Sequence, residues 1–397
     1  MAVVQIVFSY GPDETGTVER LVDQFNQLNP AIRVKYKRMP AETDLYHKRL
    51  RNMFMSGSDR IDVIAGDIIW PAEFASKSWI ADLSGRFPQS ERQLFLDATI
   101  EANTYQGKVW GVPWFTDVGL LYYRKDLLQD SGFSNPPKTW DELKTIALKV
   151  KQDSGIQDGY VFQGAQYEGG VCNGLEYIWT HGGDVLDSTG AVIINNSAAA
   201  KNALTTERSM VTGGVAPQDV HTYFEMEAEV AFLDGQAVFC RNWAFVFGLL
   251  DEPEEPLSPA EVGVAELPRA SGVGVGGGCL GGWNMFINAG SAHQNEAWQF
   301  IAFMTAPAQQ RKLATAFGSL PTRKALYLDP TLLTQVPIMG LSRDALNNAR
   351  PRPRHPCYFE MSEEMAEQFN LSLQGNITPD QAAQTLQTEL SNIVANC

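Results

Sequence analysis

Between residues 3 and 65 two kinds of hydrophobic pattern alternate, and this alternation narrows the fold more than any other feature of the chain. Residues 3–8 are a short β-rich run, and after Gly11-Pro12 the side chains Val18, Leu21, Val22, Phe25 and Leu28 recur at helical spacing. Asn29-Pro30 stops that helix, because a residue before proline is pushed out of the α region. Ile32, Val34 and Tyr36 then alternate with Arg33, Lys35 and Lys37, and residues 62–65 form another apolar strand. The order strand, helix, strand, helix, strand predicts an α/β protein with a mostly parallel sheet.

A second block begins near residue 117. Residues 119–123 read as a strand, and Thr139 with Glu142 makes a capping box for a helix whose Trp140, Leu143, Ala147 and Val150 share one face. A Pro/Glu-rich loop at 251–259 and a Gly-rich stretch at 272–282 interrupt this block. Residues 296–305 predict a helix with a strongly apolar face, and Thr378-Pro379-Asp380-Gln381 caps a last helix bearing Leu386, Leu390 and Ile393. At 397 residues one core would be unusually large, so two domains are expected.

Charged residues make up 19% of the chain, against roughly 25% in soluble domains, while hydrophobic residues make up 44% and aromatics 10%. Such a chain packs. Its formal net charge of −15 argues against nucleic acid and anionic membrane as partners, since both call for basic patches. No run approaches the ~18 apolar residues of a membrane span. The N-terminus starts at once with a strand-like run and carries no basic and apolar leader; a cytoplasmic protein and a mature secreted one would look alike.

Several chemistries lack their residues. Gly272, Gly274 and Gly277 have the spacing of a dinucleotide fingerprint, but that motif needs a strand before it and a helix after it, whereas 283–287 is β-like. The five His stand in unrelated contexts with no HExxH, and neither a GxSxG elbow nor a phosphate-cradling GxxxxGK[ST] occurs. No cofactor and no metal is expected. Paired carboxylates for glycoside hydrolysis stay open, because their separation in space is invisible in sequence. The five Cys have neither zinc-knuckle nor redox spacing, and a Cys240–Cys279 disulfide is left open.

What remains is a set of aromatics in polar, turn-rich contexts: Gly66-Asp67-Ile68-Ile69-Trp70, Pro113-Trp114-Phe115-Thr116-Asp117, Arg241-Asn242-Trp243-Ala244-Phe245 and Gly281-Gly282-Trp283. Sugar recognition needs this mixture. Aromatic faces cover the C–H faces of a pyranose, carboxylates and Arg hold hydroxyl pairs, and Gly admits close backbone approach. The rival for each aromatic is a place in the core.

In this order the motifs resemble the extracellular solute-binding proteins of carbohydrate ABC importers, in the branch that binds trehalose, maltose, sucrose and related glycosides. The resemblance runs through Ser9-Tyr10, Asp62-Val63-Ile64, Ser78-Trp79-Ile80-Ala81-Asp82-Leu83, Gly107-Lys108-Val109-Trp110-Gly111-Val112-Pro113 and Leu121-Tyr122-Tyr123-Arg124-Lys125-Asp126. It continues through Thr139-Trp140-Asp141-Glu142-Leu143, Phe232-Leu233-Asp234-Gly235-Gln236-Ala237, Arg241-Asn242-Trp243, Gly281-Gly282-Trp283 and Arg352-Pro353.

The resemblance implies a two-lobed α/β periplasmic-binding-protein fold with an interlobe ligand cleft and multiple hinge crossings. One lobe would hold residues 1–115 plus 284–341 and the other 116–283 plus 342–397. It implies a monomeric, non-catalytic, periplasmic or surface-tethered protein whose partners are a small-molecule sugar and the permease subunits of an ABC transporter. Carried over residue by residue, Glu14, Asp67 and Asp117 are the carboxylates, Trp243 and Trp283 the stacking platforms with Gly282 beside the second, and Arg352 reaches back from the last segment. Tyr46 or His47 falls where relatives often carry Arg, Trp70 follows Asp67, and Phe115 and Phe245 replace frequent Tyr residues and remove two hydroxyls. A glycoside hydrolase, and the same fold binding a polyamine or an iron chelate, are the alternatives.

Overall fold

The computed structural model describes residues 3–13, 15–57, 60–250, 256–273 and 277–397. Its strands are β1 Val4–Tyr10, β2 Ile32–Arg38, β3 Val63–Asp67, β4 Thr104–Tyr105, β5 Lys108–Val109, β6 Val112–Val118, β7 Leu120–Arg124, β8 Asp158–Val161, β9 Ala237–Asn242, β10 Val262–Ala265, β11 Leu280–Ile287 and β12 Leu320–Pro321. The chain forms two compact units, one of residues 1–117, 281–340 and 354–356, the other of 118–280, 341–353 and 357–397.

The first unit is built on a six-stranded sheet in the order β12-β6-β11-β3-β1-β2. β1 pairs parallel with β2 and β3, as the strand–helix alternation of the first 65 residues predicts, but β11 joins β3 antiparallel and β12 joins β6 antiparallel. The helix Thr17–Leu28 buries Val18, Leu21, Val22 and Phe25, one stripe at helical spacing, against Ile6, Phe8, Ile32 and Val34. Phe300, Ile301 and Met304, from the helix Gln294–Met304, complete that core. A second cluster gathers Met39, Tyr46, Leu50, Ile64, Trp70, Phe74 and Phe286 under the helices Thr43–Met55 and Pro71–Ser76. Burying one such side chain contributes about 1.5–3 kcal/mol.

The second unit holds the sheet β10-β7-β9-β8. Here β7 pairs antiparallel with both β9 and β10, and only β8 and β9 run parallel. Parallel neighbours follow from crossover helices, and strands that enter a sheet from distant chain positions escape that constraint. The helix Trp140–Ser154 starts at the expected box, with Glu142 N donating to Thr139 Oγ1 at 3.2 Å, and Thr378 with Gln381 caps Pro379–Asn396 in the same way. β11 occupies the segment after the glycines, which removes the dinucleotide reading; Gly274 and residues 251–255 lie outside the described residues.

The disulfide is Cys357–Cys397, with Cα atoms 6.0 Å apart, whereas Cys240 and Cys279 are buried free thiols. It fastens the start of the helix Tyr358–Gln374 to the residue after Pro379–Asn396. Connectivity of this kind is not written in cysteine spacing. Closing a loop with a sequence separation of 40 restricts the unfolded chain by about 3–4 kcal/mol. Reduction, or the double change Cys357→Ser/Cys397→Ser, is expected to lower the unfolding free energy measured by urea titration by that amount.

Glu207, on the helix Ala199–Thr212, is buried and accepts one hydrogen bond from Asn173 Nδ2 at 2.8 Å. Burial pushes its carboxyl from 4.5 up to about 8, against the smaller opposing effect of Asn173. The folded protein therefore keeps a proton that the unfolded chain loses near 4.5. Stability from this site is full at low pH and is lost as pH rises through about 8, with a limiting slope of ~1.4 kcal/mol per pH unit. Urea titrations across this range should show the decline, and Glu207→Gln should flatten it.

Candidate functional site

In the first unit, alternation along β6 puts Phe115 and Asp117 on one face, both half-buried, and buries Trp114 and Thr116 on the other. Asp67 ends β3, lies opposite Trp283 in the β3–β11 register, and its Oδ1 accepts from Ile69 N at 3.1 Å. Trp283 is half-buried, and three aromatics hold its ring. Tyr46 stacks on it at 5.8 Å and 26°, while Tyr10 and Trp70 meet it edge-on at 5.4 and 5.8 Å.

Three sequence expectations are corrected here. Tyr46, expected at the ligand, is wholly buried, donates its hydroxyl to Ala65 O at 2.9 Å and forms the bed of Trp283. Trp70 is 2% exposed and packs among Tyr46, His47 and Phe74, which makes it a support of the same kind. Gly282 has φ +131°, and a Cβ there would stand 2.5 Å from Phe115 O. Its freedom is therefore used by a neighbouring strand, where close approach to a ligand was expected. His47 is buried, with Nε2 2.6 Å from Glu73 Oε2. Glu14 lies outside the described residues.

In the second unit Trp243, the second indole expected to stack on a ligand, follows β9 directly. The Arg241 guanidinium lies 4.1 Å from its ring centroid, a cation–π contact that covers one face. Arg241 is itself wholly buried. Its Nε and Nη2 meet the two oxygens of Glu176 at 2.7 and 2.5 Å, and Nη1 donates to Gln163 Oε1 at 2.9 Å. Burial opposes the guanidinium charge, but Glu176 more than offsets this and the pKa is raised. Trp243 N donates to Asn242 Oδ1 at 2.9 Å, and its carbonyl accepts from Tyr122 Oη at 2.7 Å. The indole edge is fixed too: Nε1 donates to Glu225 Oε1 at 3.3 Å, and Glu225 Oε2 accepts from Tyr167 Oη at 2.6 Å. Phe245, two residues on, is half-buried.

Arg352 lies in the same unit, 5% exposed, and its Nη1 donates to Glu168 Oε1 at 2.6 Å. Tyr358 and Ser362 also donate to Glu168. The guanidinium is thus engaged in a buried polar knot that anchors the helix Tyr358–Gln374. Sequence reasoning missed Glu225 and Tyr167. An acidic residue in the first turn of a helix is commonplace, and only contact with Trp243 gives Glu225 meaning. Among ligand types for metals, Cys357 and Cys397 are bonded to each other.

The family model of the bacterial extracellular solute-binding proteins matches residues 11–311. A probable ABC transporter-binding protein of Deinococcus radiodurans is 33% identical over 368 residues, 91% of this chain and 86% of that protein. Maltose-bound MalE3 of T. maritima superposes with a TM-score of 0.92 at 38% identity, over 98% of this chain and 100% of that one. The GacH receptor of Streptomyces glaucescens, solved unliganded and with acarbose, shares the fold at TM-score 0.87 and 24% identity, over 100% and 99% of the two chains. The chain belongs to the bacterial extracellular solute-binding protein family. It has the α/β two-lobed periplasmic-binding-protein fold of MalE-like members, a family of binding proteins and not of enzymes. A disulfide suits the extracellular location the family implies, and among the described residues no helix is long and apolar enough to cross a membrane.

Removing Arg241 would strand Glu176 as an uncompensated buried charge. Arg241→Met is expected to cost about 3–5 kcal/mol in urea unfolding. Adding Glu176→Gln should recover part of that loss in a double-mutant cycle.

Proposed function

We propose that the protein captures an α-linked disaccharide or glycoside, of the maltose, trehalose, sucrose or glucosylglycerol class, and delivers it to the permease subunits of an ABC importer. The observation that carries this reading is the pinning of the two half-buried indoles. Trp283 and Trp243 are each held from behind by buried groups and flanked by a carboxylate, Asp67 beside the first and Glu225 beside the second. A rigid aromatic face next to a hydrogen-bond acceptor suits a pyranose, whose C–H face stacks while its equatorial hydroxyls donate. Asp117 and Phe115, side by side on β6, extend the first patch. The likeness to maltose-bound MalE3 supports the α-glucoside class.

Sugar binding alone does not separate a binding protein from a hydrolase, so two measurements are paired. Calorimetry against maltose, trehalose, sucrose and glucosylglycerol should give saturable binding of at least one sugar, and chromatography should return that sugar intact. Silence towards every sugar would sink the proposal, and released monosaccharide would transfer it to an enzyme. Trp283→Ala should weaken binding by at least ~2 kcal/mol, about thirtyfold in Kd, as expected for an aromatic anchor.

A further inference from the structure

The −15 net charge is unevenly placed. Residues 31–60 contain eight Lys and Arg against three Asp and Glu, a net +5, which leaves −20 on the rest of the chain. Part of this segment, Arg33, Lys35 and Lys37 on β2 with Arg49 near Lys37, lies towards one face of the first unit's sheet. β2 is the edge strand of its sheet, and Arg33, Lys35 and Lys37 point to the face opposite Ile32 and Val34. They pair in register with Gln5, Val7 and Ser9, and Ser9 Oγ donates to Tyr46 Oη of the helix Thr43–Met55 at 3.0 Å, so that helix flanks the same face. Partial burial first, and then Arg49 and Arg60, push the Lys37 ammonium down from its ordinary value, which shows cations crowded against one another. Along the outer side of the helix, Leu45 is 52% and Met55 71% exposed, with Lys48 and Arg49 between them.

Lysines on an edge strand also prevent pairing with another chain's edge. That role leaves Arg49, Leu45 and Met55 unexplained. Long cationic side chains interleaved with isolated exposed apolar ones are the composition of a surface that rests on lipid headgroups, where stems and apolar tips dip inward and charges meet phosphates. We propose that the β2 edge and the outer side of the helix Thr43–Met55 form a docking face for anionic phospholipid, holding the first unit against the membrane surface. This revises the exclusion of anionic membranes drawn from net charge alone: the sum is negative, but it includes a local excess of cations at this face.

The test is co-sedimentation of the full chain with vesicles of phosphatidylcholine alone and of phosphatidylcholine mixed with phosphatidylglycerol. Binding is expected only to the mixed vesicles, is expected to vanish in high salt, and should fall roughly a hundredfold in Arg33→Glu/Lys35→Glu/Arg49→Glu. Melting temperature and sugar affinity of this variant should match the parent, since none of the three residues contributes to either aromatic patch. Indifference to the mixed vesicles at low salt overturns the proposal, as does binding that survives the charge reversal. If vesicles are ignored while the reversal blocks sugar-stimulated ATP hydrolysis by the reconstituted importer, the face serves an acidic protein surface and the lipid proposal falls.

Discussion

The buried pair of Arg241 and Glu176 organises the second unit. Two ions withdrawn from water impose a desolvation penalty of several kcal/mol each, which only close geometry and further hydrogen bonds offset. Both conditions hold: the contact is bidentate, Gln163 takes a third guanidinium N–H, and Glu176 Oε1 also accepts from Cys279 N at 2.8 Å. One carboxylate thus ties the helix Glu168–Thr180 to β9 and to the residue preceding β11. Even Gly119 answers to it, since a Cβ there would lie 1.9 Å from the same oxygen. The guanidinium so fixed becomes the floor of Trp243.

The first unit reaches the same end by apolar means. Trp283 rests on Tyr46, Tyr10 and Trp70, and the hydroxyl of Tyr46 is tied to Ala65 O. The two indoles are fixed on one principle, each pinned by neighbouring groups so that its ring keeps one orientation. They differ in material, one set on an ion pair and the other on stacked rings.

Much of the architecture was legible in sequence because it rests on local rules. The stripe from Val18 to Phe25, the Asn29-Pro30 stop and the Thr139–Glu142 and Thr378–Gln381 boxes each fall within a few residues, and the structure has each of them. The second sheet's strand directions are not legible in sequence, because its pairings join β7 to strands more than a hundred residues away. Tyr46 and Trp70 illustrate the same limit at the site. Composition marks an aromatic beside a carboxylate, but whether its ring faces solvent or another ring depends on contacts made across the sheet. The motif marks the conformational freedom of Gly282 but not that Phe115 O stands over it, and net charge, being a sum, conceals where the cations stand.

The three thiols outside the disulfide bear on how this protein can be handled. Cys172, Cys240 and Cys279 are each no more than 1% exposed, and burial raises the first two well above the ordinary thiol range. Thiolate, not thiol, reacts with electrophiles. A cysteine introduced on the surface would stand alone in reactivity, so a fluorophore can be attached at one chosen position without first stripping the native chain of its own sulfur.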